Sequence, residues 1–234
     1  MFGCGLRHLP NEFHRIFEHD RSILYQMIPL FVDCSDKLVV IFGGGTVAAR
    51  KAAYFSGTSH LTVVSRSFAP QFNTMQFTRV ELDLDSISDL KLLDLIRYAF
   101  LVITAVSDPE INNRVGRLCK AMGILYNNAD GEQGDVILPA VTRGEHYTIA
   151  ISTEGASPAV SRFIREQVED DFPALDAMIE LQNRLRSELK EKEPDQEKRN
   201  EVLKNVLGDH TVWQQLLTDR EAAWKAVEQR YLHG

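Results

Sequence analysis

Two short stretches of this 234-residue chain carry residue types and spacings that can do chemistry. The first, "VVIFGGGTVAAR" from Val39 to Arg50, is four apolar residues, three glycines and an alanine-rich run. Gly43, Gly45 and Ala48 fit the spacing G-x-G-x-x-A. After a strand, the first glycine permits a tight turn and the second lets the backbone approach a pyrophosphate. The small third residue keeps the following helix close to the strand. An anion is favoured at that helix N-terminus by unpaired N–H groups and the helix dipole. The motif alone is weak, and its strand–turn–helix context is what strengthens it. The candidate dinucleotide contacts are Gly43, Gly44, Gly45, Thr46, Val47 and Ala48, with Thr104 and Ala105 at the end of a later strand. About 20 positions on, where a residue choosing between NAD and NADP is expected, the chain reads Ser65-Arg66-Ser67. No acid stands there to hold a ribose 2′-hydroxyl. Arg66 suits a 2′-phosphate, but it equally suits stacking on adenine or plain solvation, and the spacing does not choose.

The second stretch is "ILYNNAD", ending at Asp130. A carboxylate at the carboxyl end of a parallel strand stands on the edge where open sheets bind ligands, and there it can take a proton or orient a substrate. Asp130-Gly131 is also an ordinary turn pair. Downstream, Arg143, Arg162 and Arg165 offer guanidinium forks that suit carboxylates, and Thr153 and Ser157 offer hydroxyls. Each of these reads as readily as a solvated arginine or a helix cap. His146 falls in a turn. Cys4, Cys34 and Cys119 are scattered and form no CxxC pair, which fits three reduced thiols rather than a disulfide framework or a thiolate zinc site. No HExxH or His/Cys cluster points to a stored metal.

The elements that must hold these residues follow from pattern. "MIPLFVDCSDKLVVIF" gives two apolar runs split by a polar turn, suited to buried strands. "TVAARKAAYFSG" predicts a helix ending at Gly57. "HLTVVSR", "RVELDLD", "FLVITAVS" and "ILYNNAD" predict further strands, with helices over "DLKLLDLIRYA" and "PEINNRVGRLCKAMG" between them. Ser107 or Asp108 caps the second of these helices ahead of Pro109 and Glu110. Strands alternating with helices mean crossover connections and a parallel sheet covered on both faces. Beyond Gly131, "DVILPAVTRGEHYTIAIST" reads as a β-hairpin, and Ser157-Pro158 opens a helix. From Pro173 the chain is helical, with "KEKEPDQEKR" as a solvated linker, Gly208 as a stop, and Thr218 with Glu221 opening the last helix.

The fold class expected is therefore α/β: a Rossmann-type parallel sheet, then a β-hairpin and helix segment, then a small all-helical C-terminal domain. The expected divisions are an N-terminal arm (1–24), a nucleotide-binding domain (25–138), a middle segment (139–166) and the helical domain (167–234). Hydrophobic content of 44% and charged content of 25% belong to an ordinary globular protein. No apolar run reaches the length of a membrane span, and the N-terminus lacks a signal-peptide core, so the expectation is a cytoplasmic protein without a membrane partner. A net charge of -7 argues against nucleic acid as the main partner.

Four segments, "IPLFVD…KLVVIFGGGTVAARKA", "TAVSDPEINNRV", "NNAD…ILPA" and "IAISTEGASPAVSRFIRE", occur in this order over about residues 27–166. They resemble the siroheme-synthase N-terminal family, the precorrin-2 dehydrogenases, some of which are also sirohydrochlorin ferrochelatases. The last segment is the most specific, since ordinary Rossmann dehydrogenases lack it. The resemblance implies NAD⁺-dependent oxidation of precorrin-2 to sirohydrochlorin, on a homodimer whose middle segments (139–166) meet across a two-fold axis. It implies Asp130 as the catalytic carboxylate and Thr153 as a substrate-positioning hydroxyl. Because the substrate carries eight carboxylates, Arg143, Arg162 and Ser157 become candidate substrate contacts beside Thr153. Fe²⁺ enters as a second substrate if the chain is also a chelatase, which these residues leave open. Two rivals stay in view: a chelatase without redox activity, and a non-enzymatic dinucleotide sensor with a helical effector tail.

Overall fold

The structure is a computed structural model that describes residues 27–232. The expected arm, 1–24, lies outside the described residues. The chain divides into two units, Met1–Asp33 and Cys34–Gly234. In the first, residues 27–33 form neither helix nor strand. The strand expected there is absent because Pro29, in the middle of the run, has no N–H to give a ladder.

The second unit is built on five parallel strands: β1 (Leu38–Phe42), β2 (His60–Ser65), β3 (Thr78–Glu81), β4 (Leu101–Thr104) and β5 (Leu125–Asn128). Their order across the sheet is β3-β2-β1-β4-β5, so the chain reverses its direction of growth between β1 and β4. Ile41 of β1 lies opposite Val63 on one side and Ile103 on the other. β4 is buried along its whole length, and β1 is buried from Val39 onward. That is the signature of strands covered on both faces.

Alternation sorts the side chains. Val40, Phe42, Val64 and Val102 pack under α2 (Asp89–Ile96) and α3 (Pro109–Met122) with Leu92, Ile96, Val115 and Cys119. Val39, Ile41, Val63 and Ile103 pack on the other face, with Ala48, Ala49 and Ala52 of α1 (Thr46–Ala52) and Phe72 of a 3-10 turn at Pro70–Thr74. α1 is shorter than its alanine-rich sequence suggests. After Ala52 the chain turns, and the Thr58 and Ser59 hydroxyls donate to the Phe55 carbonyl, giving the backbone a local alternative to the helix ladder. Gly57 takes φ 78° in that turn rather than capping the helix. Asp108, not Ser107, caps α3, accepting from the Glu110 N–H at 2.8 Å. Burial pushes the Cys119 thiol up to about 12, so it stays protonated.

β6 (Ala140–Arg143) and β7 (Thr148–Ile151) form the expected hairpin, and α4 (Pro158–Asp171) packs on both strands. The tail comprises α5 (Leu175–Lys192), α6 (Gln196–Leu207), α7 (His210–Leu216), α8 (Arg220–Val227) and a π-helical turn to Leu232. The charged "linker" is mostly the ends of α5 and α6, with a break only at 193–195. Asp219, rather than Thr218, caps α8. Asp176 at the start of α5 accepts the N–H groups of His146 (2.8 Å) and Glu145 (3.0 Å) in the hairpin turn, and these bonds hold its carboxyl below the usual range. A side chain at Gly144 would strike that carboxylate. No helix among the described residues is long and apolar enough to cross a membrane.

Met178, Leu181, Leu185, Val206, Val212 and Trp224 give the tail a core of its own. Leu185 is fully buried there. Leu185→Ala should cost about 3 kcal/mol, read as a lower urea midpoint by circular dichroism.

Candidate active site

The carboxyl ends of all five strands open into one crevice of about 820 Å³. Gly43–Val47 form its floor after β1, and Ser65–Ala69 follow β2. Leu82–Asp85 follow β3, Ala105–Asp108 follow β4, and Ala129 and Asp130 follow β5. This is where open α/β sheets bind ligands, outside the strand ends at the point of reversal.

The glycine turn meets other backbone directly. A Cβ on Gly43, whose φ is 117°, would collide with the Ala105 carbonyl. One on Gly44 would collide with the carbonyl of Ser67. A Cβ on Gly45, by contrast, would meet nothing within 4 Å, because that position faces the open crevice at the start of α1. A bare backbone aimed into free space, at a helix start with no side chain capping it, fits a bound diphosphate. The acid-free first turn of α1 fits it as well.

Asp130 is exposed on the crevice wall. Its backbone is clamped. Its N–H donates to Asn128 Oδ1 (3.2 Å), and its carbonyl accepts from Asn112 Nδ2 (3.3 Å). Asn112 is fully buried and also exchanges two bonds with the Val106 backbone, at 2.9 and 3.2 Å, tying the β4 wall to the β5 wall. Asn128 Nδ2 donates to Asn113 Oδ1 (3.1 Å) and to the Glu132 carbonyl (2.8 Å), while the Glu132 N–H donates to Asn113 Oδ1 (3.0 Å). The Asp130 carboxylate itself has no hydrogen bond among the described residues. The loop is therefore fixed while its acid stays available.

The comparisons with known proteins agree with this geometry. Residues 30–140 match a family model described as "Putative NAD(P)-binding". The chain is 40% identical over 209 residues to the precorrin-2 dehydrogenase of Methanosarcina barkeri, covering 87% of this chain and 92% of that protein. The chain belongs to the siroheme-synthase N-terminal family of precorrin-2 dehydrogenases. It is also 28% identical over 206 residues to the siroheme synthase of Escherichia coli strain SE11, and there it spans 44% of the longer protein. Its fold matches the solved structure of SirC, a precorrin-2 dehydrogenase, with TM-score 0.63 at 21% identity over 87% of this chain and all of that one.

Within this family member the crevice gathers most of the residues singled out from sequence. Gly43, Gly44, Gly45, Thr46, Val47, Ser65, Arg66, Ala105 and Asp130 all line it. Ala48 is fully buried behind it, closing α1 on the sheet. Thr104 does not line it: its hydroxyl points to Asn128 Oδ1 at 3.2 Å, so it steadies the asparagine clamp. Nor do Arg143, Thr153, Ser157 and Arg162 line it in one chain. Thr153 Oγ1 accepts from the Ser157 N–H (3.0 Å), donates to the Ser157 carbonyl (3.0 Å) and lies 3.2 Å from Ser161 Oγ. Ser157 caps α4 through the Val160 N–H. Arg162 pairs with Glu166 at 2.8 Å, and Arg165 pairs with Glu166 and Glu169. His146 is engaged too, 3.3 Å from Glu180, whose other oxygen holds Arg220 at 2.7 Å.

Sequence reasoning passed over Asn112, Asn113 and Asn128. The clue was available: paired asparagines are poor helix residues, and "EINNRV" places them inside α3. It also passed over Asp83 and Asp85, which face Arg66.

Gly45→Ala should leave stability within about 1 kcal/mol of wild type, since the new methyl meets only open space. It should weaken dinucleotide binding by at least about tenfold, because the backbone can no longer approach the diphosphate. Thermal melts and titration of bound NADH fluorescence check the two halves separately.

Proposed function

We propose that this protein is a precorrin-2 dehydrogenase, oxidising precorrin-2 to sirohydrochlorin with NAD⁺. The observation that carries the reading is that the exposed Asp130 carboxylate and the glycine turn line the same crevice at the sheet's carboxyl edge. Gly43–Thr46 would hold the diphosphate, and Ala105 and Val106 would flank the nicotinamide end. The dinucleotide, when bound, supplies the two-electron acceptor. Asp130 takes up the proton released as the macrocycle loses hydrogen, with its backbone held by Asn112 and Asn128 so that the carboxylate does not drift from the reacting carbon.

The substrate's carboxylates call for cations, and the crevice supplies few. Among the described residues that line it, Arg66 is the one cation beside four acids, Asp83, Asp85, Asp108 and Asp130. We take the further cations to be Arg143 and Arg162, with the hydroxyls of Thr153 and Ser157, brought to the crevice of a second copy of the chain. Val160, Phe163 and Ile164 support a homodimer through residues 139–166. They stand at helical spacing on α4 and are 46%, 60% and 40% exposed. Among the described residues β6 and β7 pair only with each other, leaving strand edges open there. On this reading residues 25–138 are the NAD-binding domain and 167–234 the helical domain.

The test mixes the purified protein, NAD⁺ and precorrin-2 and follows the absorption spectrum. No sirohydrochlorin above the enzyme-free rate would sink the assignment, and Fe²⁺ added afterwards reads metal insertion in the same cuvette. Asp130→Asn should lower kcat at least about 100-fold with NADH affinity within about twofold of wild type. Full turnover in that variant would remove Asp130 from the mechanism. Phe163→Glu should convert the dimer to monomer in analytical ultracentrifugation and depress turnover, while the monomer still binds NADH.

A further inference from the structure

Arg66 stands where the cofactor's adenosine ribose is read, and on its own a cation there invites a 2′-phosphate. Its surroundings reverse that. Arg66 Nη1 lies 3.3 Å from Asp85 Oδ2 and 3.6 Å from Asp83 Oδ1. Both acids come from the segment just after β3, the neighbour of β2, and both line the crevice. That segment is locked: the Asp85 N–H donates to Asp83 Oδ1 at 3.2 Å, and the Leu82 N–H donates to the Ser65 carbonyl at 3.2 Å. The Asp83 carboxylate is therefore held beside Arg66 by a backbone N–H, and Asp85 meets the same guanidinium from the same segment.

We propose that Asp83 and Asp85 are the residues that exclude a 2′-phosphorylated dinucleotide from this crevice, making it selective for NAD over NADP. The inference rests on the dehydrogenase reading above. One guanidinium between two carboxylates leaves the ribose end with a net negative charge, and a second phosphate group brought there meets repulsion rather than a clamp. Selectivity of this kind comes from penalising the wrong ligand as much as from holding the right one. The acid absent from the end of β2 is supplied by the next strand. All three side chains are well exposed, at 66% for Arg66, 45% for Asp83 and 60% for Asp85, so the discrimination should be moderate and should weaken as salt is raised.

The experiment titrates the full-length protein with NADH and with NADPH, following reduced-nicotinamide fluorescence at low and high ionic strength. Wild type should bind NADH at least about tenfold more tightly. D83N/D85N should narrow that ratio about tenfold by tightening NADPH, since Arg66 is then free to meet the phosphate. Arg66→Gln should widen the ratio by weakening NADPH further. Raised salt should shrink the wild-type preference. Equal wild-type affinities, or an NADPH affinity unchanged in D83N/D85N, would overturn the proposal. If precorrin-2 turnover is normal in that case, the dehydrogenase reading survives. A wild-type protein that binds neither dinucleotide and produces no sirohydrochlorin overturns both.

Discussion

The structure depends on backbone meeting backbone at Gly43 and Gly44. There is no space for a Cβ between Gly43 and the end of β4, nor between Gly44 and the segment after β2. The Gly43 N–H donates to the Val64 carbonyl (2.9 Å), and the Ala69 N–H donates to the Gly44 carbonyl (2.7 Å). These bonds draw the strand ends together beneath a turn without side chains. Any other residue would push the walls apart, and the start of α1 would no longer open onto the crevice with its N–H groups bare. Anion recognition by a helix start works only over the first turn, so a displacement of a few ångströms would remove it.

A second constraint works through buried polar groups, which must find partners or cost stability. The buried Asn112 carboxamide is satisfied, among the described residues, by Val106 and Asp130 backbone groups. Its need for partners holds two strand ends in one geometry. Asn113 and Asn128 do the same for the segment following Asp130, where Gly131 takes φ 126° directly against the Asn113 carboxamide. A carboxylate on a loop would ordinarily be mobile. Here the backbone bonds remove that mobility without engaging the acid itself.

The two constraints leave a crevice rich in carboxylates and poor in cations, although the reading assigns it a polyanionic substrate. On the function proposed above, a second copy of the chain would resolve this tension. The arginines and hydroxyls of β6 and α4 sit beside an apolar helix stripe that a single chain leaves exposed. Within one chain Arg162 and Arg165 are turned on Glu166 and Glu169, and Thr153 and Ser157 on the α4 cap.

Periodicity and turn chemistry in the sequence settled what is local: the five parallel strands, the glycine turn, the proline-led starts of α3 and α4, and the hairpin. Each of these depends on neighbours a few positions apart, so residue type and spacing carry the information. Pro29 limited the first apolar run, and the Thr58 and Ser59 hydroxyls limited α1, both through competition for backbone hydrogen bonds that a hydrophobic pattern does not record. Only the tertiary structure decided what comes from strands far apart in sequence: that Asp130 shares a crevice with the glycines some 85 positions earlier, that Thr104 serves Asn128 rather than the crevice, and that Arg66 is answered by Asp83 and Asp85. The reason is physical. The effect of a charge or a carboxamide depends on what lies within a few ångströms of it, and here those neighbours are brought together by sheet order.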